Sequence, residues 1–379
     1  MENRRTSYDL AAILRENKSF TNTYQLFEQQ RKAFQDISAC RTSELGGHIC
    51  YCSSCNYQRQ AYNSCRNKHC PKCQFTKQAK WVDKLRSKLL DCKHFHLVLT
   101  IPQQLHRLFY LNQNQLYNAL LQSAWQAVSK AAVNPKFLGA QTGAVAVLHT
   151  WTQTMNQHPH IHMIIPCGGL SEDEMEWVSC RNNFFAPKKI IGALFRGILC
   201  GTINDLIQNS QVSIPEGFLW KKVKKRLYST TWNVNIKKPI NGIDAVVKYL
   251  GRYTNRVAIS NTRITDVKNG KVSFRYKDRK RLVWKVMQLD SIEFIRRFML
   301  HILPHNFYKI RYYGILASAN SKTKKKQITA LLETCESIPE YEGLSAIEVY
   351  SLITGKDVSQ CPKCKNGRIL CRALPKPQT

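Results

Sequence analysis

The sequence has no long uninterrupted apolar run. Its longest apolar stretch, IIGALFRGILC at residues 190–200, is short and interrupted by Arg196, and the N-terminal MENRRTSYDLAA has no apolar core of signal-peptide length. Acidic residues are also scarce, with 25 against 57 lysines and arginines, a formal charge of +32. We therefore expect a soluble intracellular protein with no membrane partner, and the charge predicts a polyanionic partner, nucleic acid being the first candidate.

The chain shows no repeat of fixed period and no long low-complexity tract, and at 379 residues it can hold two or three structural units. Hydrophobic periodicity predicts two helices over 8–38, a basic helix at about 75–91, a strand at 95–102 and a helical stretch to about 133. GAVAVLHTW and HPHIHMIIP read as the two strands of a hairpin, and further strands are expected at 231–239 and between 257 and 290. This order predicts an α+β fold with an antiparallel sheet.

The fifteen cysteines point to metal ligands, because a reducing compartment does not favour a disulfide framework. Two C-x-x-C pairs can each direct two thiolates at one tetrahedral ion, and eight candidates fit two Zn²⁺ sites. The candidate ligands are Cys40, His48, Cys52, Cys55, Cys65, His69, Cys70 and Cys73. Buried inert thiols are the alternative, but they would not favour this spacing. The spacing leaves the pairing of ligands open, and we expect this small unit to fold only with metal bound.

A further C-x-x-C pair, Cys361 and Cys364, lies near the C-terminus with Cys371 close by. No fourth ligand is evident in its neighbourhood. A partial zinc site and an ordinary loop both remain open for this segment.

The stretch HPHIHMIIP alternates histidine with apolar residues. On a strand, His158, His160 and His162 would share one face and could hold one ion from the same side, although such a triple could also line a wet edge. In the predicted helix GIDAVVKYLGRYTNR, Tyr249 and Tyr253 stand four residues apart and so share a helix face. Packing of the two rings into a core is the alternative interpretation.

Taken together, these features resemble the two-tyrosine HUH transposases of rolling-circle insertion sequences. The similarity covers nearly the whole chain and rests on the blocks CRTSELGGHI, YNSCRNKHCPKCQ, LHTWTQTMNQHPHIH, KYLGRYTNRVAISN, VSFRYKD, EFIRRFMLHILP and RYYGILA. It implies an HUH endonuclease fold, an antiparallel sheet flanked by helices and preceded by a small cysteine-rich zinc-binding domain. The implied division is residues 1–92 for N-terminal helices and zinc-binding domain, 93–318 for the catalytic domain with an insertion at about 170–230, and 319–379 for a basic tail.

The resemblance also assigns roles. Tyr249 and Tyr253 would be nucleophiles that cut single-stranded DNA and leave a 5′-phosphotyrosine and a free 3′-hydroxyl. His160 and His162 would hold Mg²⁺ or Mn²⁺, ions that suit phosphate oxygen better than zinc does. The family normally adds a third polar ligand. If the turn between the strands centres on residues 156 and 157, Gln153 lies opposite His160 and is the first choice.

His149 and His158 are the fallbacks for that third ligand. Lys248, Arg252 and Arg256 surround the tyrosines and are expected to bind DNA phosphates, including those of the target DNA. The basic runs near 221–226 and 277–281 would contact the DNA backbone along the strand. The zinc unit is expected to recognise the end of the element as a hairpin or short duplex. The protein is expected in the bacterial cytoplasm, associated with the nucleoid.

Three other functions compete with this interpretation. A rolling-circle replication initiator or a relaxase would use the same chemistry, but initiators often carry a helicase domain and no G-x-x-x-x-G-K-[ST] loop occurs here. A non-catalytic zinc DNA-binding protein would need neither the histidines nor the tyrosines. A tyrosine recombinase would not need the histidine strand. The terminal DNA sequences, the order in which the tyrosines act and the oligomeric state are not encoded in these patterns.

Overall fold

The structure is a computed structural model that describes residues 8–254, 258–278, 281–320 and 323–375, apart from the side chains of residues 249, 250 and 252–254. The N-terminal elements are α1 (Leu10–Glu16), α2 (Phe20–Thr23), α3 (Glu28–Ser38), β1 (Gly47–Cys52), β2 (Gln58–Tyr62) and α4 (Phe75–Arg86). Next come β3 (His94–Thr100), α5 (His106–Leu111), α6 (Gln113–Ala132), β4 (Gly143–Trp151), β5 (Gln157–Pro166), β6 (Gly168–Leu170) and β7 (Trp177–Ser179). They are followed by α7 (Lys188–Gln208), α8 (Trp220–Ser229), β8 (Val234–Ile240), α9 (Ile243–Thr254), β9 (Ile264–Lys268), β10 (Lys271–Lys277) and β11 (Trp284–Asp290). The chain continues with α10 (Ser291–Met299), β12 (Ile310–Gly314), α11 (Lys324–Leu331), α12 (Ala346–Thr354) and β13 (Ile369–Leu374).

A five-stranded antiparallel sheet in the order β12-β4-β5-β3-β8 forms the centre of the molecule. Its inner strands are almost wholly buried, as expected for runs of Val, Ile and Leu that are covered on both sides. The predicted α+β class and the predicted hairpin of β4 and β5 are confirmed.

The two faces of this sheet are covered by different helices. One face carries Leu99, Ile161 and Met163 and packs against α6 and α7 in the largest apolar cluster. The opposite face carries Val145, Val147 and Ile164, which form another cluster with Val246 and Val247 of α9. Leu85 of α4 and Ile328 of α11 belong to that cluster as well. The helix that holds the two tyrosine positions therefore lies on this second face.

Helix α7 is long and apolar enough to cross a membrane by length and composition alone. In this structure Ile191, Phe195 and Leu199 are buried in the core cluster beneath the sheet. The insertion predicted at about 170–230 thus contributes to the core of the domain through α7.

A second, three-stranded sheet has the order β11-β10-β9. The predicted turn at 268–270 joins β9 to β10, with Asn269 and Gly270 both at positive φ (52° and 70°), as a tight hairpin turn requires. Phe274 of this sheet packs with Phe294 and Phe298 of α10 and with the N-terminal helices through Leu14 and Phe34. The N-terminal helices are therefore anchored on residues that come more than 200 positions later.

A third sheet joins the two ends of the chain, because β13 pairs with β1 in the order β13-β1-β2. The segment predicted as a basic tail, residues 319–379, is thus not a separate appendage in its described part. The helix α12 packs against α4, with the rings of Tyr350 and Phe75 in an edge-to-face arrangement at 6.0 Å. The Asp83 carboxylate of α4 accepts the backbone N–H groups of Glu340 and Tyr341.

Candidate active site and metal centres

Three histidines converge on the face of the central sheet that α9 covers. The ligand nitrogens of His149, His160 and His162 all lie within 4.8 Å of one another. The three side chains are 5%, 5% and 6% exposed. Neutral imidazole is a common metal ligand, so this arrangement fits one shared cation. Among the residues that the structure describes, no carboxylate or thiol joins the three imidazoles.

The third member of this group is His149, whereas the sequence pattern favoured Gln153 as the third ligand. In the β4–β5 pairing His149 lies opposite His160, and the register shifts between His149 and Trp151. The hairpin turn spans 152–156, since the Thr152 N–H donates to the Asn156 carbonyl and Met155 adopts a φ of 59°. Gln153 therefore lies in the turn itself, where its carbonyl oxygen accepts a hydrogen bond from Arg263. The expectation that Gln153 lies opposite His160 is wrong, because the turn is centred about two residues earlier than assumed.

The fallback His158 is also outside the group of three. Its ring packs edge-on against His106, with centroids 5.9 Å apart. The backbone carbonyl of His158 instead accepts a hydrogen bond from Nδ1 of His160 at 2.6 Å. A protonated Nδ1 leaves the lone pair of His160 on Nε2, which is how protein scaffolds commonly orient a metal-binding imidazole.

His162 is oriented by a fourth histidine, His96 on β3, which the sequence analysis did not single out. The Nε2 atom of His96 lies 2.9 Å from Nδ1 of His162, and the rings stack at 5.1 Å. Burial, reinforced by Lys237 and His160, lowers the pKa of His96 to about 3, so His96 is neutral at physiological pH. A neutral His96 can accept the Nδ1–H of His162, which leaves Nε2 of His162 for a cation. Alternation along FHLVLTIP could have revealed this, because it puts His96 on the same face as Val98 and Thr100.

We predict that replacing His96 with alanine lowers the affinity of the site for Mn²⁺ by roughly 10- to 100-fold, as loss of an outer-shell partner commonly does. Titration of the purified protein with Mn²⁺, followed by the electron paramagnetic resonance of free Mn²⁺, measures the change. His94→Ala is the matched control, because His94 is a buried histidine on the same strand whose Nδ1 bonds to the Cys92 carbonyl oxygen. Equal Mn²⁺ affinity in wild type and His96→Ala would contradict the assigned role.

The positions of Tyr249 and Tyr253 lie on α9, but their side chains are outside the described residues, as is that of Arg252. Arg256 lies wholly outside them. The structure does show where the helix packs on the sheet, because Val246 and Val247 contact Val145, Val147 and Ile164. Val145 and Val147 precede His149 on β4, and Ile164 follows His162 on β5. All of them lie on the same face of the sheet. The helix therefore lies on the same face of the sheet as the histidine group.

Basic side chains border this face. Lys248 of α9 is exposed, and Lys237 of β8 pairs with His96 in the sheet register. The ammonium group of Lys309 lies 5.9 Å from the ring centre of Trp151, which itself stacks on His149 at 4.8 Å. Burial lowers the pKa of Lys309 to about 8. The basic run at 221–226 is on α8, which packs beneath the opposite face, so it is not part of this site.

Four of the predicted zinc ligands form one cluster, Cys40, Cys65, Cys70 and Cys73. Their Sγ–Sγ distances include 3.5 Å for Cys40–Cys73, 3.6 Å for Cys40–Cys70 and 3.7 Å for Cys65–Cys73. Thiolates bound at about 2.3 Å to a tetrahedral zinc ion are about 3.8 Å apart, so the four sulfurs fit one Zn²⁺.

The other four candidates do not form a second cluster among themselves. Cys52 and Cys55 meet Cys361 and Cys364, so the thiols that complete this group come from the other end of the chain. His48 and His69 belong to neither group. His48 lies on β1 four residues before Cys52, about 13 Å along an extended strand. The Nε2 atom of His69 accepts the N–H of Leu303 at 3.3 Å, so its ring faces the segment that follows α10.

Two protein families match this chain. The family described as "Putative transposase" matches residues 143–325, which include the histidine hairpin and helix α9. The family described as "Transposase zinc-binding domain" matches residues 12–101, which include the cluster of Cys40, Cys65, Cys70 and Cys73.

Two curated relatives carry related names. The "Putative transposase y4qJ" of Sinorhizobium fredii is 37% identical over 353 residues, covering 90% of this chain and 88% of that protein. The "Transposase for insertion sequence element IS801" of Pseudomonas savastanoi pv. phaseolicola is 29% identical over 290 residues, covering 74% of this chain and 68% of that protein. No solved structure matches.

Proposed function

Because this chain belongs to the two-tyrosine HUH transposases of rolling-circle insertion sequences, with their N-terminal zinc-binding domain, we propose that it nicks and rejoins single-stranded DNA at the ends of such an element. The reaction proceeds through 5′-phosphotyrosine intermediates. The observation that carries the proposal is the group of three buried imidazoles on the sheet face that the tyrosine helix covers.

In the proposed reaction the phenol oxygen of Tyr249 or Tyr253 attacks the phosphorus of the scissile phosphodiester. A bond forms between that oxygen and phosphorus, and the bond from phosphorus to the 3′ oxygen breaks. The phenol gives up its proton, and the departing 3′ oxygen takes up one to become a hydroxyl. The phosphodiester energy is kept in the tyrosine ester, so rejoining needs no nucleotide cofactor. With two tyrosines, one can hold a strand end while the other opens a second site.

A tyrosine has a reference pKa of about 10 and is a weak nucleophile, so the reaction needs electrophilic help. The residues that would hold a divalent ion are His149, His160 and His162, with His96 as a positioning residue for His162. When bound, Mg²⁺ or Mn²⁺ polarises a phosphate oxygen and neutralises charge. Three imidazole nitrogens suit Mn²⁺ better than the oxygen-preferring Mg²⁺. We therefore propose Mn²⁺ as the better of the two.

The DNA partners follow from charge and from family membership. We propose that Lys248, Arg252 and Arg256 bind phosphates of the strand that is cut and of the target DNA. The zinc-binding domain would recognise the element end as a hairpin or short duplex. The net charge of +32 supports work at the bacterial chromosome, in the cytoplasm.

The test is to trap the covalent adduct and map it. The full-length protein is incubated with Mn²⁺ and a labelled single strand that carries the DNA flanking its own gene, and the adduct is digested with trypsin. Because Lys248, Arg252 and Arg256 are cleavage points, Tyr249 falls on the peptide YLGR and Tyr253 on YTNR. We expect a nucleotide-modified form of one or both peptides, which also reports which tyrosine reacted.

A strand of scrambled sequence is the control for recognition of the end. The proposal fails if no adduct forms on the native end, or if the modification lies on a tyrosine outside these two peptides. Equal cutting of native and scrambled strands would contradict recognition of the element end, although the proposed cleavage chemistry would stand.

A further inference from the structure

The structure brings a cysteine pair from each end of the chain to one point. The Sγ atoms of Cys52 and Cys364 are 3.6 Å apart and those of Cys55 and Cys361 are 3.8 Å apart. All four thiols lie within 4.8 Å of one another. Both measured distances are close to the roughly 3.8 Å expected between thiolates of one tetrahedral zinc ion. We propose that a second Zn²⁺, held by Cys52, Cys55, Cys361 and Cys364, fastens the C-terminal segment 361–374 to the N-terminal zinc-binding domain.

The backbone around both cysteine pairs is arranged as in zinc knuckles. The N–H of Ser54 donates to Sγ of Cys52, and the N–H of Gly367 donates to Sγ of Cys364, each at 3.3 Å. Such N–H donors stabilise a thiolate, which is the form that binds metal. The two loops also bond to each other directly, because the N–H of Ser53 donates to the Arg368 carbonyl at 2.9 Å and the N–H of Arg368 donates to the Ser53 hydroxyl at 3.0 Å.

Gly367 shows how closely the two loops approach. A Cβ atom at this position would lie 2.3 Å from Sγ of Cys52 and 2.9 Å from Oγ of Ser54. Any side chain would therefore displace the Cys52 sulfur or the loop that carries it. The C-terminal pair is fitted to the N-terminal pair at the distance that a shared ion demands.

Apolar burial does not explain why this segment docks. In β13, Leu370, Cys371, Arg372 and Ala373 are exposed, and Tyr51 of the partner strand β1 is exposed as well. A strand with so little buried surface needs another source of stability, which small domains commonly obtain from metal or disulfide bonds. Cys50 and Cys371 face each other across β1 and β13 and are bonded in this structure. In a reducing cytoplasm that bond would open, whereas zinc thiolates persist.

Neither matching family includes this segment. The zinc-binding family ends at residue 101 and the transposase family at residue 325. The pair Cys361–Cys364 therefore lies outside both matched ranges. The parts of the chain just before this segment already contact α4. Glu340 and Tyr341 bond to Asp83, and α12 packs against Phe75.

The first test counts zinc in the full-length protein, purified with a phosphine reductant so that Cys50–Cys371 does not contribute. Elemental analysis should give two zinc ions per chain for wild type and one for the Cys361→Ser, Cys364→Ser double variant. Cys335→Ser is the matched control and should retain two, because Cys335 is an exposed thiol outside both clusters. One zinc per wild-type chain, or two in the double variant, would overturn the proposal.

A second measurement uses wild type alone and does not depend on a variant that folds. Thiols of the zinc-loaded protein are alkylated before and during stepwise removal of metal with a chelator, and mass spectrometry follows each cysteine. Cys52, Cys55, Cys361 and Cys364 should be protected at least about 10-fold relative to Cys335 and should become reactive in the same chelator step. Labelling of Cys361 and Cys364 at the rate of Cys335 in zinc-loaded protein would show that no ion joins the two ends.

Discussion

Replacing both Tyr249 and Tyr253 with phenylalanine is expected to abolish the covalent protein–DNA adduct and to lower cleavage of an end-bearing single strand by at least about 10³-fold. The phenyl ring has nearly the same shape but no hydroxyl oxygen, so the substitution removes the nucleophile with little other change in the side chain. Gel analysis of a labelled strand under denaturing conditions measures both the adduct and the nicked product.

The single variants separate the roles of the two tyrosines. If one of them opens the first site, its replacement alone removes the first adduct, whereas the other single variant still forms that adduct and fails at strand transfer. Tyr228→Phe is the matched control, because Tyr228 is an exposed tyrosine on α8, beneath the other face of the sheet. An adduct of wild-type yield in the double variant would end the assignment of both residues.

Replacing His149 with alanine is expected to reduce nicking by about 100-fold or more at limiting Mn²⁺, while Gln153→Ala changes it by no more than about twofold. His149 supplies one of three clustered imidazoles. Even the loss of a residue that only hydrogen-bonds to a metal ligand commonly lowers metal affinity or activity 10- to 100-fold. Gln153 lies in the hairpin turn, where a truncated side chain has little effect. Initial nicking rates over a Mn²⁺ titration measure both effects.

Excess metal distinguishes a ligand from a residue that merely supports the fold. A lost ligand raises the Mn²⁺ concentration needed for half-maximal rate, so added Mn²⁺ should restore part of the activity of His149→Ala. Thermal unfolding of the two variants without metal checks that the sheet is intact. The opposite pattern, with Gln153→Ala impaired and His149→Ala active, would show that Gln153 and not His149 is the third metal ligand.

The sequence was sufficient for the elements around the active site but not for their register. GAVAVLHTW and HPHIHMIIP carry alternation and β-branched residues, so both strands were predictable, as was the Asn269–Gly270 turn. The partner of His160 was not, because the turn is centred about two residues earlier than assumed, and a one-residue irregularity between His149 and Trp151 adds to that shift. Such a bulge depends on packing at the turn and leaves no mark in the hydrophobic pattern.

The metal sites show a second limit of local patterns. C-x-x-C spacing identified six of the eight clustered thiols as possible ligands, and Cys40 and Cys65 were added as neighbouring cysteines, but spacing could not pair them. Cys52 and Cys364 are 312 positions apart, and tertiary contacts such as the β1–β13 pairing bring them together. His48 and His69 were included because histidine and cysteine are close in the sequence, yet strand geometry and a backbone contact direct both rings elsewhere. Spacing finds ligand types, whereas tertiary pairing chooses among them.

The pairing of β13 with β1 also means that this sheet can be completed only late in synthesis of the chain. Cys50 and Cys371 are separated by 321 residues, so at about 5–20 residues per second a ribosome needs roughly 15–60 s to deliver the second strand after the first. During that interval the edge of Gly47–Cys52 has no β13 to cover it and can pair with another nascent chain. Slow or stalled translation before β13 emerges would therefore favour aggregation over maturation, and the yield of soluble protein should depend on how quickly the chain up to β13 is made.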